Sequence, residues 1–168
     1  MSEEKKFEIF RNADAYRVGT EGVLTTDPTP VQAEGLDRML EAGVMDGAEF
    51  TVLCTLPGFS LVHAWVKKDY PLPLHSHSGD GLYHIVSGSL RLGTEDLAAG
   101  DSIFIPANTP YTYRAGPDGA EVLEFRHTIE VDFQNYAKNR AFYDKAVSTI
   151  LANRDAWRGA GKPARVMG

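Results

Sequence analysis

The sequence predicts an all-β fold, an antiparallel sandwich or barrel with a short helix before it and a longer helix after it. Between residues 49 and 130, short runs rich in Val, Ile, Leu, Phe and Tyr alternate with turn signals such as Pro57-Gly58, Gly79-Asp80-Gly81 and Gly100-Asp101. Many short strands with closely spaced turns are typical of antiparallel sheets. On both sides of this region the apolar residues change to a helical spacing.

The segment before the strands is expected to contain one short helix. Apolar residues recur at broadly helical spacing over residues 31–44, after the breaker Asp27-Pro28-Thr29-Pro30 and up to Gly43. Residues 1–48 are therefore predicted to be an extension that packs on the barrel. Residues 7–10 could add an edge strand to a second subunit, which predicts a homodimer.

The segment after the strands changes to a helical period. One face of this helix would carry Phe133, Tyr136, Ala137, Arg140, Tyr143, Val147, Ile150 and Leu151. Asp132 is its expected N-cap, because a carboxylate accepts hydrogen bonds from the free N–H groups of a first turn. The predicted organisation is thus an extension (1–48), one barrel domain (49–130) and a C-terminal helix and tail (131–168).

Composition and charge exclude several classes of function. The 168 residues suit one domain, and 43% hydrophobic with 24% charged residues is ordinary for a soluble globular protein. A formal net charge of -6 argues against nucleic acid or anionic lipid as a partner. We expect no signal peptide and no membrane span. A single cysteine, Cys54, cannot form an internal disulfide, so a cytoplasmic location is predicted.

The most informative motif is the His-x-His pair that follows two prolines at residues 71 and 73. His75 and His77 lie on an extended segment, where side chains alternate, so both imidazoles point to the same face and can meet one ion. Imidazole suits several transition metals without selecting among them. The motif therefore predicts a site for one divalent ion of iron, manganese, nickel or zinc.

The order of motifs after His77 resembles that of the cupin family. In that family a His-x-His pair is followed by a glutamate and a glycine, then by Gly-Asp, a proline five residues on, a tight turn and a third histidine. Gly88, Gly100-Asp101 and Pro106 match this pattern, and the resemblance covers residues 58–128. It implies a small, single-domain cupin of the RmlC-like type, a double-stranded β-helix whose ligands project into the barrel mouth.

Two of the four ligand positions of the family differ here. The glutamate position falls on Gly81, which has no side chain, and the third histidine position falls on Tyr111. The resemblance therefore implies that His75 and His77 remain as ligands. Tyr111, water or a nearby carboxylate would complete the metal shell.

Further ligands could come from neighbouring strands. His63 lies on the strand before the motif, but its register is not determined by sequence. Glu124 and Arg126 share one face of the strand at residues 121–127, and the favoured interpretation is a cross-strand salt bridge or a solvated face. If that face is the inner one, Glu124 becomes a candidate ligand and Arg126 an anion clamp.

Aromatic residues are expected to line the same pocket. A pocket with aromatic walls and a few convergent polar groups is typical of small-molecule sites. The expected catalytic residues are His75, His77 and Tyr111. The expected substrate contacts are Tyr83, Tyr113, Trp65, Phe104 and Arg126.

Three functions remain open. The leading one is a metal-dependent enzyme acting on a small oxygenated or aromatic metabolite, with oxygenase, isomerase, lyase and cyclase chemistry all open. The second is a metal-free epimerase or isomerase, with His75 or His77 as base and Tyr111 as acid. The third is a non-catalytic small-molecule-binding protein, because the changes at Gly81 and Tyr111 are what loss of a metal site would produce.

Overall fold

The computed structural model describes residues 7–18, 25–129 and 132–165, which contain nine strands and two α-helices. The boundary predicted at residues 130 and 131 lies outside the described residues. The helices are α1 (Pro30–Ala42) and α2 (Arg140–Gly159). The strands are β1 (Tyr16–Arg17), β2 (Ala48–Leu56), β3 (Phe59–Val66), β4 (His75–Ser76), β5 (Gly81–Leu92), β6 (Glu95–Ala98), β7 (Ser102–Ile105), β8 (Tyr113–Arg126) and β9 (Gln134–Asn135).

The strands pair antiparallel in two sheets. The larger sheet has the order β1-β2-β3-β8-β5-β6, with β7 also paired to β5, and the smaller one joins β4 to β9. The long strands β5 and β8 shift register at two points, next to Ser87 and Gly88. Gly88 has φ 72°, and a Cβ atom there would lie 2.1 Å from the carbonyl oxygen of Gly119, so the bend requires glycine. The predicted all-β class is confirmed.

Alternation along the strands separates an inner face from an outer face. On β3, Val62 and Ala64 face inward, and the inner core adds Tyr83 and Ile85 of β5 and Val122 of β8. The intervening residues of each strand therefore face outward. Whether a side chain lies inside the barrel is thus decided by its strand parity.

The predicted N-terminal helix is present as α1. Thr29 is its N-cap, and a capping box joins Thr29 to Gln32 through two reciprocal hydrogen bonds. The helix ends at Gly43, whose φ of 100° suits glycine. Gly35 lets α1 and α2 approach closely, because a Cβ atom there would lie 2.2 Å from the ring of Tyr143. No helix in the described part of the chain is long and apolar enough to cross a membrane.

The C-terminal helix starts later than predicted. Asn139 is the N-cap of α2, and its side chain accepts a hydrogen bond of 2.9 Å from Phe142 N. Asp132 is not an N-cap, since its carboxylate accepts from the backbone N–H of Ser78 instead. The intervening segment is extended and includes β9, which pairs with β4. The helical spacing of Phe133 and its neighbours was misleading, because these residues pack against the barrel as an extended segment.

Candidate functional site

The small sheet brings the predicted catalytic residues together. His75 exchanges two backbone hydrogen bonds with Tyr111, of 3.0 and 2.8 Å, and its ring centroid lies 4.3 Å from that of Tyr111. The centroids of His75 and His77 are 5.0 Å apart, and both residues are buried. The expected convergence of His75, His77 and Tyr111 on one pocket is observed.

Backbone carbonyls orient both imidazoles. Nδ1 of His75 lies 2.9 Å from the carbonyl oxygen of Pro73, and Nδ1 of His77 lies 2.5 Å from that of Asp132. Because a carbonyl oxygen can only accept, Nδ1 of His75 carries the proton and its Nε2 keeps a free lone pair. Nδ1 of His77 also lies 3.1 Å from Nη1 of Arg126, which can only donate, so the contacts of His77 do not select one tautomer. Nε2 of His77 is buried and has no hydrogen-bond partner. Such backbone contacts orient metal-binding histidines in many proteins.

Burial keeps both imidazoles neutral. It lowers the pKa of His75 to about 4 and that of His77 to about 3. The positive charge of Arg126 lowers both pKa values further, while the hydrogen bonds to backbone carbonyls oppose the shift. At neutral pH both side chains are therefore in the form that coordinates metals.

Glu124 and Arg126 lie on the inner face of β8. Arg126 Nη2 lies 2.5 Å from Glu124 Oε2, and Nη1 lies 3.1 Å from Nδ1 of His77. The favoured expectation of a cross-strand salt bridge or solvated face is thus corrected, because this buried pair runs along one strand and faces the cavity. Although burial opposes the charge, the Glu124 carboxylate raises the pKa of Arg126.

Two buried polar atoms in this cavity lack partners. Among the described residues, His77 Nε2 and Arg126 Nε are two of four buried side-chain polar atoms without a hydrogen bond. Buried polar atoms are normally paired, and leaving one unpaired costs about 1–3 kcal/mol. Two unpaired nitrogen atoms on residues that line one cavity indicate a binding site.

Two phenols occupy the region of the missing ligands. The hydroxyl oxygens of Tyr83 and Tyr111 are 2.9 Å apart, and a Cβ atom at Gly81 would lie 3.1 Å from the Tyr83 hydroxyl. Tyr83 therefore fills the space that a side chain at position 81 would need. Burial raises the pKa of Tyr83 to about 12 and that of Tyr111 well above its ordinary value. Both are neutral phenols at neutral pH.

The cavity has a volume of about 540 Å³, including space open to solvent at its mouth. Tyr113 is in its wall, as expected. Sequence reasoning missed five apolar wall residues, because no local signal distinguishes them from other apolar residues. The full lining is Val18, Phe50, Val62, Leu72, His75, His77, Tyr111, Tyr113, Glu124, Arg126 and Phe133.

Three residues expected in the pocket lie elsewhere. His63 and Trp65 have the outward parity of β3, with His63 Nε2 3.0 Å from Glu121 and the Lys67 ammonium 4.4 Å from the centroid of the Trp65 ring. Phe104 is 60% exposed. These placements correct the expectation that His63 is a ligand and that Trp65 and Phe104 are pocket walls. His84 has the outward parity of β5, and its Nδ1 lies 2.9 Å from the hydroxyl oxygen of Ser102.

The residues present fit only part of a metal shell. Within the described ranges, no group of three or more His, Cys, Asp and Glu side chains is placed to hold a metal ion. Glu124 is the carboxylate of the cavity, and it is paired with Arg126. A metal ion at the two histidines would therefore need further ligands from outside this set of side chains.

Comparison with known proteins shows which solved structures have a similar fold. No protein-family model and no curated protein matches the sequence. The polyketide cyclase RemF from Streptomyces resistomycificus matches with a TM-score of 0.51 and 21% identity, over 62% of this chain and 84% of that chain. An RmlC-like cupin from Shewanella frigidimarina matches with a TM-score of 0.45 and 20% identity, over 51% and 79%.

Oxalate decarboxylase from Bacillus subtilis matches with a TM-score of 0.43 and 21% identity, over 49% of this chain and 26% of that chain. The match to RemF extends over more than half of this chain and shows a shared fold. Together with the antiparallel topology and the buried His-x-His pair, it confirms the resemblance inferred from sequence: the protein has the fold of the cupin superfamily.

Proposed function

We propose that the barrel cavity binds one divalent transition metal ion through Nε2 of His75 and His77, and that the protein acts there on a small oxygenated or aromatic metabolite. The observation that carries this proposal is the unpaired, buried Nε2 atom of His77 beside the imidazole of His75, whose ring centroid lies 5.0 Å away at an interplanar angle of 77°. In the tautomer that leaves the Nε2 lone pair free, a metal ion would satisfy it without adding a proton.

The state of the two imidazoles supports this proposal. Both Nδ1 atoms contact backbone carbonyls, which hold the two rings in place. Phe133 stacks on His75 with a centroid distance of 4.4 Å and an interplanar angle of 7°, which fixes the ring plane. The site is therefore preorganised, and little conformational entropy would be lost on binding.

The remaining ligands would come from water, from substrate oxygens and from Glu124. Oε2 of Glu124 already forms a salt bridge with Arg126, so this atom could coordinate an ion only if that salt bridge weakened. Tyr111 is a weaker candidate, since burial keeps its phenol protonated. A two-histidine site with open positions would leave room for a substrate with two oxygen atoms.

In this proposal the residues of the chain bind and orient the substrate. A bound divalent ion would supply Lewis-acid polarisation of a carbonyl or enolate oxygen, or activation of water or dioxygen. Arg126 Nε would donate a hydrogen bond to a substrate oxygen, and the Tyr111 hydroxyl would donate a second. Phe133 and Val62 would keep bulk water away from the reacting atoms.

A second candidate is a binding protein that needs no metal. It is favoured by the guanidinium of Arg126, whose Nη1 lies only 3.1 Å from His77, because a fixed cation opposes a second cation nearby. Metal-free acid-base catalysis is less favoured, because burial moves the pKa values of His75 and Tyr111 away from neutral pH in opposite directions.

The decisive experiment measures metal content per chain by plasma mass spectrometry after reconstitution with iron, manganese, nickel or zinc. The test variant is His75→Ala/His77→Ala, and the matched control is His63→Ala/His84→Ala, which removes two histidines of the outer face. We expect about one ion per chain in the wild type and the control, with metal lost from the test variant.

Absence of metal from the reconstituted wild type would refute the metal site and support metal-free ligand binding. Equal loss in both double variants would show that the histidines act through stability and not as ligands. Circular dichroism spectra of all three proteins would establish that each is folded.

The predicted homodimer remains part of the proposal. Phe7 and Ile9 are 108% and 71% exposed, which is unusual for such large apolar side chains and suits an arm that packs on a second copy. Light scattering coupled to size exclusion would give twice the chain mass if this is correct, and deletion of residues 1–10 would return the protein to the monomer mass.

A further inference from the structure

A second cavity lies beside the first, between the two helices and the barrel. Its volume is about 510 Å³, including space open to solvent. Side chains of α1, of α2 and of the segment before β4 form its wall. The lining is Leu36, Met39, Leu40, Val44, Phe50, Tyr70, Pro71, Leu72, Pro73, Phe133, Asn135, Phe142 and Tyr143.

The side-chain polar groups of Asn135 and Tyr143, which line this second cavity, are already paired. The side-chain amide of Asn135 donates to Thr25 and to Tyr143, at 3.0 and 3.2 Å, and its oxygen accepts from Ala137 N. The hydroxyl of Tyr143 donates to the carbonyl of Ala137. The cavity therefore offers apolar surface, in contrast to the first cavity, where His77 Nε2 and Arg126 Nε are unpaired.

Three apolar side chains line both cavities. Phe50, Leu72 and Phe133 are in the wall of each, so they form the partition between the two. Phe133 also stacks on His75. The apolar space consequently begins next to the imidazole pair, and a ligand bound at His75 and Arg126 would reach it by displacing one of these three side chains.

We propose that the two cavities form one bipartite site for an amphipathic substrate: an oxygen-bearing head binds at His75, His77 and Arg126, and a flat apolar body lies between the helices and the barrel. This inference rests on the proposed function of the first cavity and names its substrate class. Polar groups on the body would be disfavoured, because the wall of the second cavity is mainly apolar.

The test uses aromatic acids of increasing length, namely benzoate, 2-naphthoate and anthracene-2-carboxylate, measured by titration calorimetry on the full-length, metal-reconstituted protein. Each added ring should increase affinity roughly tenfold if it enters an apolar cavity. Leu40→Trp places a larger side chain of α1 in the second cavity. Leu40 does not line the first cavity, where His75 and His77 lie. Leu151→Trp is the matched control, because Leu151 lies on the exposed face of α2.

The expected result is a rising series in the wild type and in Leu151→Trp, and a flat series in Leu40→Trp. A flat series in the wild type, a rise that survives Leu40→Trp, or no binding of any acid would overturn the inference. If Leu40→Trp does not fold, the smaller Leu40→Phe replaces it in the same comparison.

Metal content measured on the same wild-type samples separates the two proposals. A flat series with normal metal content would refute the bipartite site and leave the metal site standing. A rising series without metal would refute the metal site and retain the bipartite site.

Discussion

Strand β8 carries a buried carboxylate on each of its faces, and the two carboxylates differ in how many polar partners they have. On the outer face, Glu121 is 1% exposed and contacts His63 at 3.0 Å, Ser87 at 2.6 Å and Arg165 at 3.3 Å. On the inner face, Glu124 has one salt bridge, and the residues around it leave polar atoms unpaired.

The difference separates a structural carboxylate from one in a binding site. Burial alone would raise the pKa of the Glu121 carboxyl. Hydrogen bonds from Arg165, Ser87 and His63 outweigh burial and lower this pKa to about 2. This saturated group ties β3, β5 and the C-terminal tail together. On the inner face, Nε of Arg126 and Nε2 of His77 have no hydrogen-bond partner, so a ligand can bind to them.

The largest expected effect comes from breaking the inner pair. Glu124→Gln leaves the guanidinium of Arg126 buried without a countercharge, and arginine cannot lose its proton, so we expect a loss of about 3–5 kcal/mol in the free energy of unfolding. Urea denaturation followed by circular dichroism would measure it. The double variant Glu124→Gln/Arg126→Met should regain most of the loss; a double variant as unstable as the single one would contradict this explanation.

The pH dependence of stability should reveal the buried imidazoles. The folded pKa of His75 is about 4 against an ordinary value of 6.5, so the unfolded chain binds more protons between these values. In chelator-treated, metal-free protein, the free energy of unfolding should therefore fall as pH falls from 6.5 to 4, by about 3 kcal/mol for His75 alone.

Denaturation at pH 7, 5.5 and 4.5 would measure this slope in the wild type and in His75→Gln/His77→Gln. The carboxylates that also titrate in this range are common to both proteins. Identical slopes would mean that neither histidine is buried in its neutral form.

A smaller effect is expected on the outer face. Glu121→Gln weakens charged hydrogen bonds but leaves no fixed buried cation, because His63 can be neutral and Arg165 is largely exposed. We expect a loss of about 1–3 kcal/mol in the free energy of unfolding, with metal content unchanged. A loss larger than that of Glu124→Gln, measured under the same conditions, would reverse the ranking of the two faces.

The smallest effect is expected at the exposed partner of Glu121. Arg165→Gln removes a contact whose arginine side chain is 62% exposed, and solvent screens such pairs. Chemical denaturation should not resolve this variant from the wild type. A clear destabilisation would show that the C-terminal tail contributes more to the barrel than its surface position suggests.

Local patterns were sufficient for part of the site. The alternation of strand side chains predicted a common face for His75 and His77, and both residues are buried in the wall of the cavity. The same rule could not place His63, because the parity of β3 relative to the motif depends on pairing with β8. Phe104 was misplaced for the same reason, since its face depends on the pairing of β7 with β5.

The apolar walls were beyond sequence reasoning. Phe50 and Leu72 line both cavities, but nothing in their local sequence distinguishes them from other apolar residues. Phe133 was assigned to a helix because its spacing to Tyr136 and Ala137 fits a helical face. Its actual conformation is decided by the pairing of β9 with β4, which joins residues far apart in the chain.

By itself the sequence determined the all-β class, the two flanking helices, and the common face of His75 and His77, because turn signals and side-chain alternation are local properties. Only the tertiary structure decided that Glu124 and Arg126 face the cavity and that Phe133 stacks on His75. Those outcomes depend on strand register and on contacts between distant segments, which no local pattern encodes.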